Sequence, residues 1–433
     1  MSCRLTKPGA LLHDNKNQNP RGRNKTTTQR CKELTITFVK NSVPMHKHRH
    51  LIEVRLWKRS TSDTVPLFTL VTGFIISLLA LSNPASSQSM PPSAIPSDSL
   101  IYPAEQHFAN ARRLTQGGDN AEAYWNSASN SLVFQSNNPA WGLECDQIFV
   151  LDPTQLKAPN FQRPTMVSTG KGRTTCAYFV PGDERVVWAS THGAQDSCPP
   201  PPAPRPDRKY LWSIDPAYDI YLSDLKGEQQ EVLVESPGYD AEATFSPDGR
   251  WMVFTSTRDG DLDLYLMSWP DRQITRVTSV LGYDGGAFFS PDSKQLIFRA
   301  SRPQTPQEVE EYQQLLSEGL VAPTRMELFV CNLDGSGLRQ ITQLGGANWA
   351  PYFHPDGQRV VFSSNHHTKR GFPFNLFMVN LDGSGLKQIT FDPTFDSFPM
   401  FSPDGRRLIF ASNRRNGGTR DTNLILVDWV DRP

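Results

Sequence analysis

A four-residue phrase, Ser-Pro-Asp-Gly, recurs through the C-terminal half of the chain. It is intact at 246–249 and 402–405, and it is slightly altered at 290–293 and 354–357. Each copy lies between two runs of alternating apolar residues, which predict strands joined by a tight turn. A period of about 45 residues with this content is typical of a radial repeat fold.

The copy at 239–275 contains four predicted strands, which we label a to d from the inside outward. Weaker copies begin at 120 and 174. With the copies that begin at 240, 284, 348 and 396, the sequence predicts six repeats.

The two ends of the repeat region complement each other. The last copy stops at its third strand, 423–427, and an additional strand at 111–115 precedes the first copy. That strand resembles the fourth strands at 338–342 and 386–390. Pairing of the N-terminal strand with the last repeat would close the ring and remove its open edges. The sequence therefore predicts an all-β, six-bladed β-propeller of four-stranded blades, closed by an N-terminal strand that completes the last blade.

The repeat also resembles a known family. Ser-Pro-Asp-Gly before an Arg/Phe-containing strand, together with Asp-Gly-Ser-Gly turns at 334–337 and 382–385, resembles the TolB-like (WD40-like) propeller repeat over about 107–433. Segments 172–179 and 346–353 are similar to an exported subgroup of that family whose activity is unassigned. The resemblance implies the propeller fold, and it implies a component of an envelope complex as one function.

The N-terminal part differs from the rest in charge. Residues 1–88 carry 14 Lys and Arg against 4 Asp and Glu, whereas the remainder carries 30 against 40. An acidic body disfavours nucleic acid as a partner, because phosphate binding needs the opposite sign. An uncharged run at 65–81 follows basic residues and precedes small residues at 85–87, which is the pattern of a signal peptide.

These patterns divide the chain into four parts. We expect a basic extension at 1–64, with Met45 as an alternative start, and a signal peptide or uncleaved anchor at 65–87. A linker at 88–106 and the propeller at 107–433 follow. The body is expected to be periplasmic or secreted, and to contact a membrane only through its N-terminal segment if that segment stays uncleaved.

Two insertions enlarge the loops between strands b and c. Residues 193–217 extend blade two, and residues 302–325 extend blade four, with a helix predicted at 306–317. Both lie on the face opposite the Ser-Pro-Asp-Gly turns. Insertions concentrated on one face indicate the binding face of a repeat protein. The alternative is that they only cap the central channel.

Polar residues recur at the start of strand a on this face. Strand alternation predicts that Glu122 and Glu242, two residues further along, point the same way as the acids that begin these strands. One interpretation is turn capping and ion pairing with Arg residues between blades. The other is a polar channel mouth that binds a peptide, a sugar, or Ca²⁺ or another divalent cation. The candidate ligand-binding residues are Asp240, Glu242, Asp284, Asn348, Asp396, Arg258, Arg414, His192 and His366.

Three cysteines are predicted on the same face of neighbouring blades. An exported protein can oxidise Cys145, Cys176 and Cys198, so we expect a disulfide that ties down the first insertion. Cys176–Cys198 is the preferred pair, with Cys145 as the alternative partner. A zinc site formed by these three thiols and His192 is a further alternative. Cys331 is predicted to be buried in strand c.

The sequence favours binding over catalysis. It contains neither His-Glu-x-x-His nor Gly-x-Ser-x-Gly. The favoured function is an exported, non-catalytic propeller without a cofactor, which binds a peptide, protein or glycan of the cell envelope at the channel mouth. One alternative is a metal-dependent lyase or hydrolase that uses the channel His and acidic residues. The other is a TolB-like component of an envelope complex.

Overall fold

The computed structural model describes residues 97–154, 163–201, 205–369, 371 and 373–432. A 3₁₀ turn (Ser97–Leu100) and strand β1 (Phe108–Arg113) precede six four-stranded antiparallel sheets. The sheets are the six predicted blades. In blades one to five the strands run from the inside outward in chain order, and in blade six the outermost strand is β1.

Each of the first three blades contains the four strands a to d. Blade one is β2 (Asn120–Trp125), β3 (Leu132–Ser136), β4 (Gln147–Leu151) and β5 (Thr165–Met166). Blade two is β6 (Thr174–Phe179), β7 (Arg185–Ser190), β9 (Asp219–Asp224) and β10 (Gln230–Val234), with β8 (Trp212–Ser213) in its insertion. Blade three is β11 (Asp240–Phe245), β12 (Trp251–Ser256), β13 (Asp263–Ser268) and β14 (Ile274–Arg276).

The last three blades follow the same order. Blade four is β15 (Asp284–Phe289), β16 (Gln295–Ala300), β18 (Glu327–Asn332) and β19 (Arg339–Gln340), with α1 (Pro306–Ser317) and β17 (Leu320–Val321) in its insertion. Blade five is β20 (Asn348–Phe353), β21 (Arg359–Ser364), β22 (Asn375–Asn380) and β23 (Lys387–Gln388). Blade six is β24 (Asp396–Phe401), β25 (Arg407–Ser412), β26 (Asn423–Trp429) and β1.

Strand β1 closes the ring as the sequence predicts. It pairs antiparallel with β26, with Phe108 opposite Trp429 and Arg113 opposite Ile425. Residues 97–106, assigned to the linker from sequence, pack against this blade, where the side chain of Leu100 is fully buried. The remaining N-terminal predictions, at 1–64, at 65–87 and in the first part of the linker, fall outside the described residues. None of the described helices has both the length and the apolar character to cross a bilayer.

The repeated phrase builds turns, as expected. In blade three the hydroxyl of Ser246 donates to Asp248 Oδ1 over 2.7 Å, and the same oxygen accepts from the backbone N–H of Arg250 over 3.1 Å. Gly249 has φ 72°, a left-handed conformation that costs glycine little. These interactions fix the a–b hairpin and leave the phrase without a free polar group for chemistry.

Each blade contributes one large aromatic ring to the packing between blades. The rings stand at the equivalent position of strand b and are fully buried: Phe134, Trp188, Phe254, Phe298, Phe362 and Phe410. Burying a side chain of this size contributes roughly 2–3 kcal/mol. The hydrophobic core therefore lies between neighbouring sheets all around the ring. The inner strands line the central channel.

Every inner strand carries a β-bulge. Its pairing with strand b shifts register after the second residue, so that two of its residues oppose one on the partner. The third residue takes a left-handed φ between 48° and 61° in all six blades: Glu122, Cys176, Glu242, Gly286, Ala350 and Phe398. We call these six residues the bulge ring. The bulge breaks strict strand alternation, so the first and third residues need not share an environment.

Candidate functional site

The two insertions meet each other over the mouth of the channel. Strand β8 of the first pairs antiparallel with β17 of the second, and Ile214 N–H donates to the Gly319 carbonyl over 2.7 Å. Arg205 adds an ion pair of 2.7 Å to Glu318. Blades two and four are not neighbours in the ring, so this connection passes in front of blade three. We call residues 205–217 and 302–325 the roof.

The roof is anchored on the far side of the ring by aromatic contacts. Trp212 packs against Trp349 of blade five with ring centroids 5.1 Å apart. Tyr210 lies 6.3 Å from the same ring. Trp349 in turn donates its indole N–H to the Pro323 carbonyl of the second insertion over 2.8 Å. Because blade five faces blade two across the channel, the first insertion spans the mouth.

A cavity of about 1100 Å³ lies beneath the roof. Its charged lining consists of Asp119, Glu122, Asp146, Asp215, Glu242, Arg173, Arg299 and Arg420. Its aromatic lining consists of Tyr210, Trp212, Tyr218, Tyr239, Tyr283, Trp349, Phe395 and Phe398. Five acidic residues against three basic ones give this lining an excess of negative charge.

Glu242 of the bulge ring is held in a dense polar cluster. Its carboxylate forms an ion pair with Arg299 and accepts hydrogen bonds from the hydroxyls of Tyr283, at 2.9 Å, and Thr255, at 2.8 Å. The backbone N–H of Gly286 donates to the same group over 2.9 Å. A buried charge with this many partners is fully compensated, so Glu242 is fixed in position.

Two glycines make room for this cluster. A Cβ on Gly286 would overlap the guanidinium of Arg299, and a Cβ on Gly285 would overlap the Glu242 carboxylate and the Tyr283 ring. Arg299 also lies over the Trp212 ring, 5.1 Å from its centroid, which links the cluster to the roof. The Glu242 charge raises the pKa of Arg299, although burial opposes that shift, and the guanidinium stays charged.

Glu122, the other acid of the bulge ring, has a different environment. No ion pair among the described residues involves its half-buried carboxylate, and the Tyr124 hydroxyl lies 3.5 Å away. Burial raises the pKa of Glu122 to about 7, and the charges of Glu242 and Asp146 add to the shift, while a hydrogen bond with Cys176 and the charge of Arg299 oppose it. A carboxyl of this kind in a cleft marks a candidate functional group.

An aromatic layer forms the floor of the cavity. Tyr124, Tyr178, Phe288 and Tyr352, each two residues beyond the bulge ring, pack with centroid distances from 5.1 to 6.3 Å. A separate cavity of about 510 Å³ lies beyond this layer, on the Ser-Pro-Asp-Gly face. The two cavities share no lining residue, so the acidic cavity is a pocket that opens on the roof side.

The acids predicted at the channel mouth lie elsewhere. Asp240, Asp284 and Asp396 are fully buried, and each pairs with an arginine eighteen positions later in its own blade. The N···O distances are 2.9 Å to Arg258, 2.6 Å to Arg302 and 2.9 Å to Arg414. Asn348 accepts instead from the Ser364 hydroxyl over 2.6 Å.

The structure corrects three expectations. Of the nine candidate ligand-binding residues, only Glu242 lines the acidic cavity. The acids also do not point the same way as Glu122 and Glu242, because the bulge separates the first and third residues of the inner strand. The ion pairs join strand a to the end of strand b within one blade, not between blades as one interpretation held.

The two histidines occupy the position that Arg258 and Arg414 take in other blades. His192 Nδ1 lies 3.0 Å from the Ser190 hydroxyl, and His366 Nδ1 lies 2.8 Å from that of Ser364. Burial lowers the pKa of both rings. In the described part of the chain no three His, Cys, Asp or Glu side chains are grouped closely enough to hold a metal ion.

The disulfide joins Cys145 to Cys198, with 5.8 Å between the Cα atoms. The preferred pair from sequence, Cys176–Cys198, is therefore wrong, and so is the zinc site that needed all three thiols free. The bulge carries Cys176 into the channel, where its thiol contacts the Thr175 hydroxyl at 3.2 Å. Cys145, in the b–c loop of blade one, lies beside the insertion. Cys331 is buried, as expected.

Sequence reasoning missed the residues that build the cavity. Arg299 stands at a strand-b position where the other five blades carry Gln, Ala, Thr, Ser and Ala, so its charge was a visible departure from the repeat. The paired glycines at 285–286 were another. Trp212 gave no periodic signal, because it lies in an insertion whose path depends on its contact with blade five.

The closed ring of six antiparallel blades makes the described body a six-bladed β-propeller. The family model described as the TolB beta propeller domain matches residues 210–326 and 320–420. The part of the chain that the structure describes is a TolB-like β-propeller.

Several solved structures are similar to the chain. Putative TolB from Agrobacterium tumefaciens is 18% identical over 73% of this chain and 91% of that one, with a TM-score of 0.47. TolB from Acinetobacter baumannii is 19% identical over 70% of this chain and 64% of that one, with a TM-score of 0.48. An oligogalacturonate lyase in complex with manganese is 12% identical over 76% and 96%, with a TM-score of 0.43. No curated protein matches the sequence.

Proposed function

We propose that the protein is an exported binding protein that takes an extended peptide or glycan segment into the cavity beneath the roof. The observation that carries the proposal is the cavity of about 1100 Å³, closed at its floor and lined by both aromatic rings and charged groups. Ligand pockets combine these features, since apolar walls supply affinity and a few fixed polar groups supply orientation.

The roof restricts the kind of ligand. It spans the mouth between blades two and five, so a flat protein surface cannot reach the floor, whereas a single extended chain can pass beside it. The rings of Tyr210 and Trp212 offer faces on which a peptide or a sugar can stack. The Glu242–Arg299 cluster is fixed before the ligand arrives, which lowers the ordering cost of binding.

Export and an envelope partner belong to the same proposal. The uncharged run at 65–81, which follows basic residues and precedes small residues at 85–87, supports export. The Cys145–Cys198 disulfide fits an oxidising compartment. The ligand is then a peptide, protein segment or glycan of the envelope, and participation in a TolB-like envelope complex is one setting for it.

Binding to arrays of peptides and oligosaccharides, followed by calorimetry on the ligands found, tests the proposal. Trp212→Ala should weaken a true cavity ligand at least tenfold, because central aromatic residues dominate binding energies by about 2 kcal/mol or more. The matched control is Trp251→Ala, a half-buried tryptophan at the start of strand b in blade three. Ligands that bind both variants as tightly as the unaltered protein would place binding outside the cavity and overturn the proposal.

A further inference from the structure

The bottom of the cavity narrows to a small chamber at the level of the bulge ring. This chamber, which we call the waist, has a volume of about 30 Å³. Glu122, Cys176, Glu242, Arg299 and Phe398 line both the waist and the larger cavity above it. A group that enters beneath the roof therefore reaches the waist last, with the aromatic floor directly behind it.

The waist contains one carboxyl group without an ion pair among the described residues. Glu242 is neutralised by Arg299 and accepts three further hydrogen bonds, whereas Glu122 has no cationic partner among the described residues. The groups that act on Glu122 from the surrounding strands are Arg299, Glu242, Asp146, Cys176 and Tyr124. An unpaired buried carboxylate is costly, and the cost falls when a ligand supplies a cation.

The volume limits the size of that cation. A cavity needs about 10–15 Å³ to hold one water molecule, so the waist has room for only one or two groups of that size. A primary ammonium group is of similar size and has three donors for Glu122 and its neighbours. A guanidinium is larger and planar. An amino sugar carries its nitrogen directly on the ring, so the ring itself would have to enter the waist.

We propose that the waist binds the side-chain ammonium of a lysine in a bound peptide, with Glu122 as its counter-ion. The inference rests on the proposed function and commits it to a peptide ligand. The four-carbon stem of lysine is unbranched, so it can run past Phe398 while the backbone of the peptide stays at the level of Trp212 and Tyr210. The stem buries its methylenes on these aromatic walls while its charged end reaches the acid.

The test uses three matched peptides on the purified protein. They are acetyl-Gly-Gly-Lys-Gly-Gly-amide, the same peptide with Nε-acetyllysine, and the same peptide with arginine. We expect the lysine peptide to bind at least tenfold more tightly than either of the others. Glu122→Gln keeps the size of the side chain and should abolish the preference. Ala350→Leu fills the waist from another blade without a change of charge and should abolish it as well.

Thermal unfolding and circular dichroism establish that both variants are folded before binding is compared. Affinity for lysine should also fall at least tenfold between pH 8 and pH 5.5, because Glu122 becomes protonated while the amine, whose pKa is about 10.4, remains charged. The acetyllysine peptide should show no such change.

Each of the other outcomes bears on the lysine inference, on the proposed cavity function, or on both. Equal binding of the three peptides, weakened by Trp212→Ala, would overturn the lysine inference and leave the cavity function intact. Binding of oligosaccharides without binding of any peptide would do the same. A lysine preference that persists in both Glu122→Gln and Ala350→Leu would place the ammonium elsewhere. If neither peptides nor oligosaccharides bind, both proposals fall.

Discussion

Three carboxylates in this protein show how acidic residues serve the fold in one place and a candidate site in another. Glu105 and Asp396 both pair with Arg414, at 3.0 and 2.9 Å, and all three side chains are fully buried. Glu122 is half-buried near Glu242 and Asp146, and no ion pair among the described residues involves it. In the first arrangement each acid is paired with a cation of the chain. The second leaves a charge that the chain does not compensate, which is the property expected of a binding group.

The uncompensated charge should appear in the pH dependence of stability. Because the pKa of Glu122 is raised from 4.5 to about 7 on folding, the folded state binds the proton more tightly than the unfolded state. The contribution of Glu122 to the free energy of unfolding is therefore most favourable below about pH 4.5. This contribution is lost as the pH rises through 7. Glu122→Gln should unfold at higher denaturant than the unaltered protein at pH 8, by about 1–3 kcal/mol, and the gain should vanish near pH 4.5.

The matched control is Glu184→Gln, which removes an exposed carboxylate from a turn. It should shift the free energy of unfolding by less than about 0.5 kcal/mol at either pH. A Glu122→Gln curve that runs parallel to that of the unaltered protein from pH 4.5 to 8 would contradict the raised pKa.

At the scale of single elements, the sequence predicts the turns and strands that recur in the repeats. The Ser-Pro-Asp-Gly turns, the six inner strands and the fourth strand supplied by β1 all lie where the repeat puts them, because local turn chemistry and apolar alternation determine each of them. Helix α1 begins at Pro306 and ends at Ser317, as predicted from its apolar stripe. These features depend on residues near one another in the chain.

The bulge in strand a could not be predicted in the same way. The left-handed position of the bulge is occupied by residues as different as Glu122, Gly286 and Phe398, so no residue type predicts the bulge. The bulge nevertheless decides which side chains face the channel, and it separates Cys176 from the insertion. The pairing of Cys145 with Cys198, and the contact of Trp212 with Trp349, depend on the path of an insertion across the ring.

The disulfide should hold the first insertion of the roof in place. Cys145→Ser breaks a loop of 53 residues between neighbouring blades and should lower the free energy of unfolding by about 2–4 kcal/mol. The exposed residues Arg208 and Lys209 should then be cut by trypsin several-fold faster, since the insertion loses one of its anchors. Reduction of the unaltered protein should produce the same digestion pattern.

Cys176→Ser is the control for that experiment, because it removes a thiol from the same face and leaves the disulfide intact. Its trypsin digestion should match that of the unaltered protein. Equal cleavage rates for Cys145→Ser and Cys176→Ser would show that the roof is held by β8–β17 pairing and aromatic contacts alone.

At the scale of the whole molecule, the residues that recur in the repeats form the ring. The residues and insertions that depart from the repeat form the candidate site. The buried Asp–Arg pairs recur in blades three, four and six and fix the junction of strands a and b. Arg299, the Gly285–Gly286 pair and the two insertions occur once each, and all of them meet at the cavity. The cavity can form only in a closed ring, because the roof is anchored on opposite blades.

Closure by β1 should therefore control the stability of the entire propeller. A chain that begins at Gly118 lacks β1 and Glu105, which leaves β26 as an open edge and Arg414 without one of its two partners. We expect its free energy of unfolding to fall by about 5 kcal/mol or more, since the buried side chains of Leu100, Phe108 and Ala111 are lost as well. Size-exclusion chromatography should show association through the exposed edge.

The control for this truncation is a chain that begins at Ser97, which keeps β1 and should unfold at the same denaturant concentration as the full chain. A synthetic peptide of residues 97–117, added in excess to the shorter protein, should pair with β26 and restore both the unfolding midpoint and the monomeric elution volume. A protein starting at Gly118 that is as stable as the one starting at Ser97, and monomeric without the peptide, would show that blades one and six hold the ring closed without the N-terminal strand.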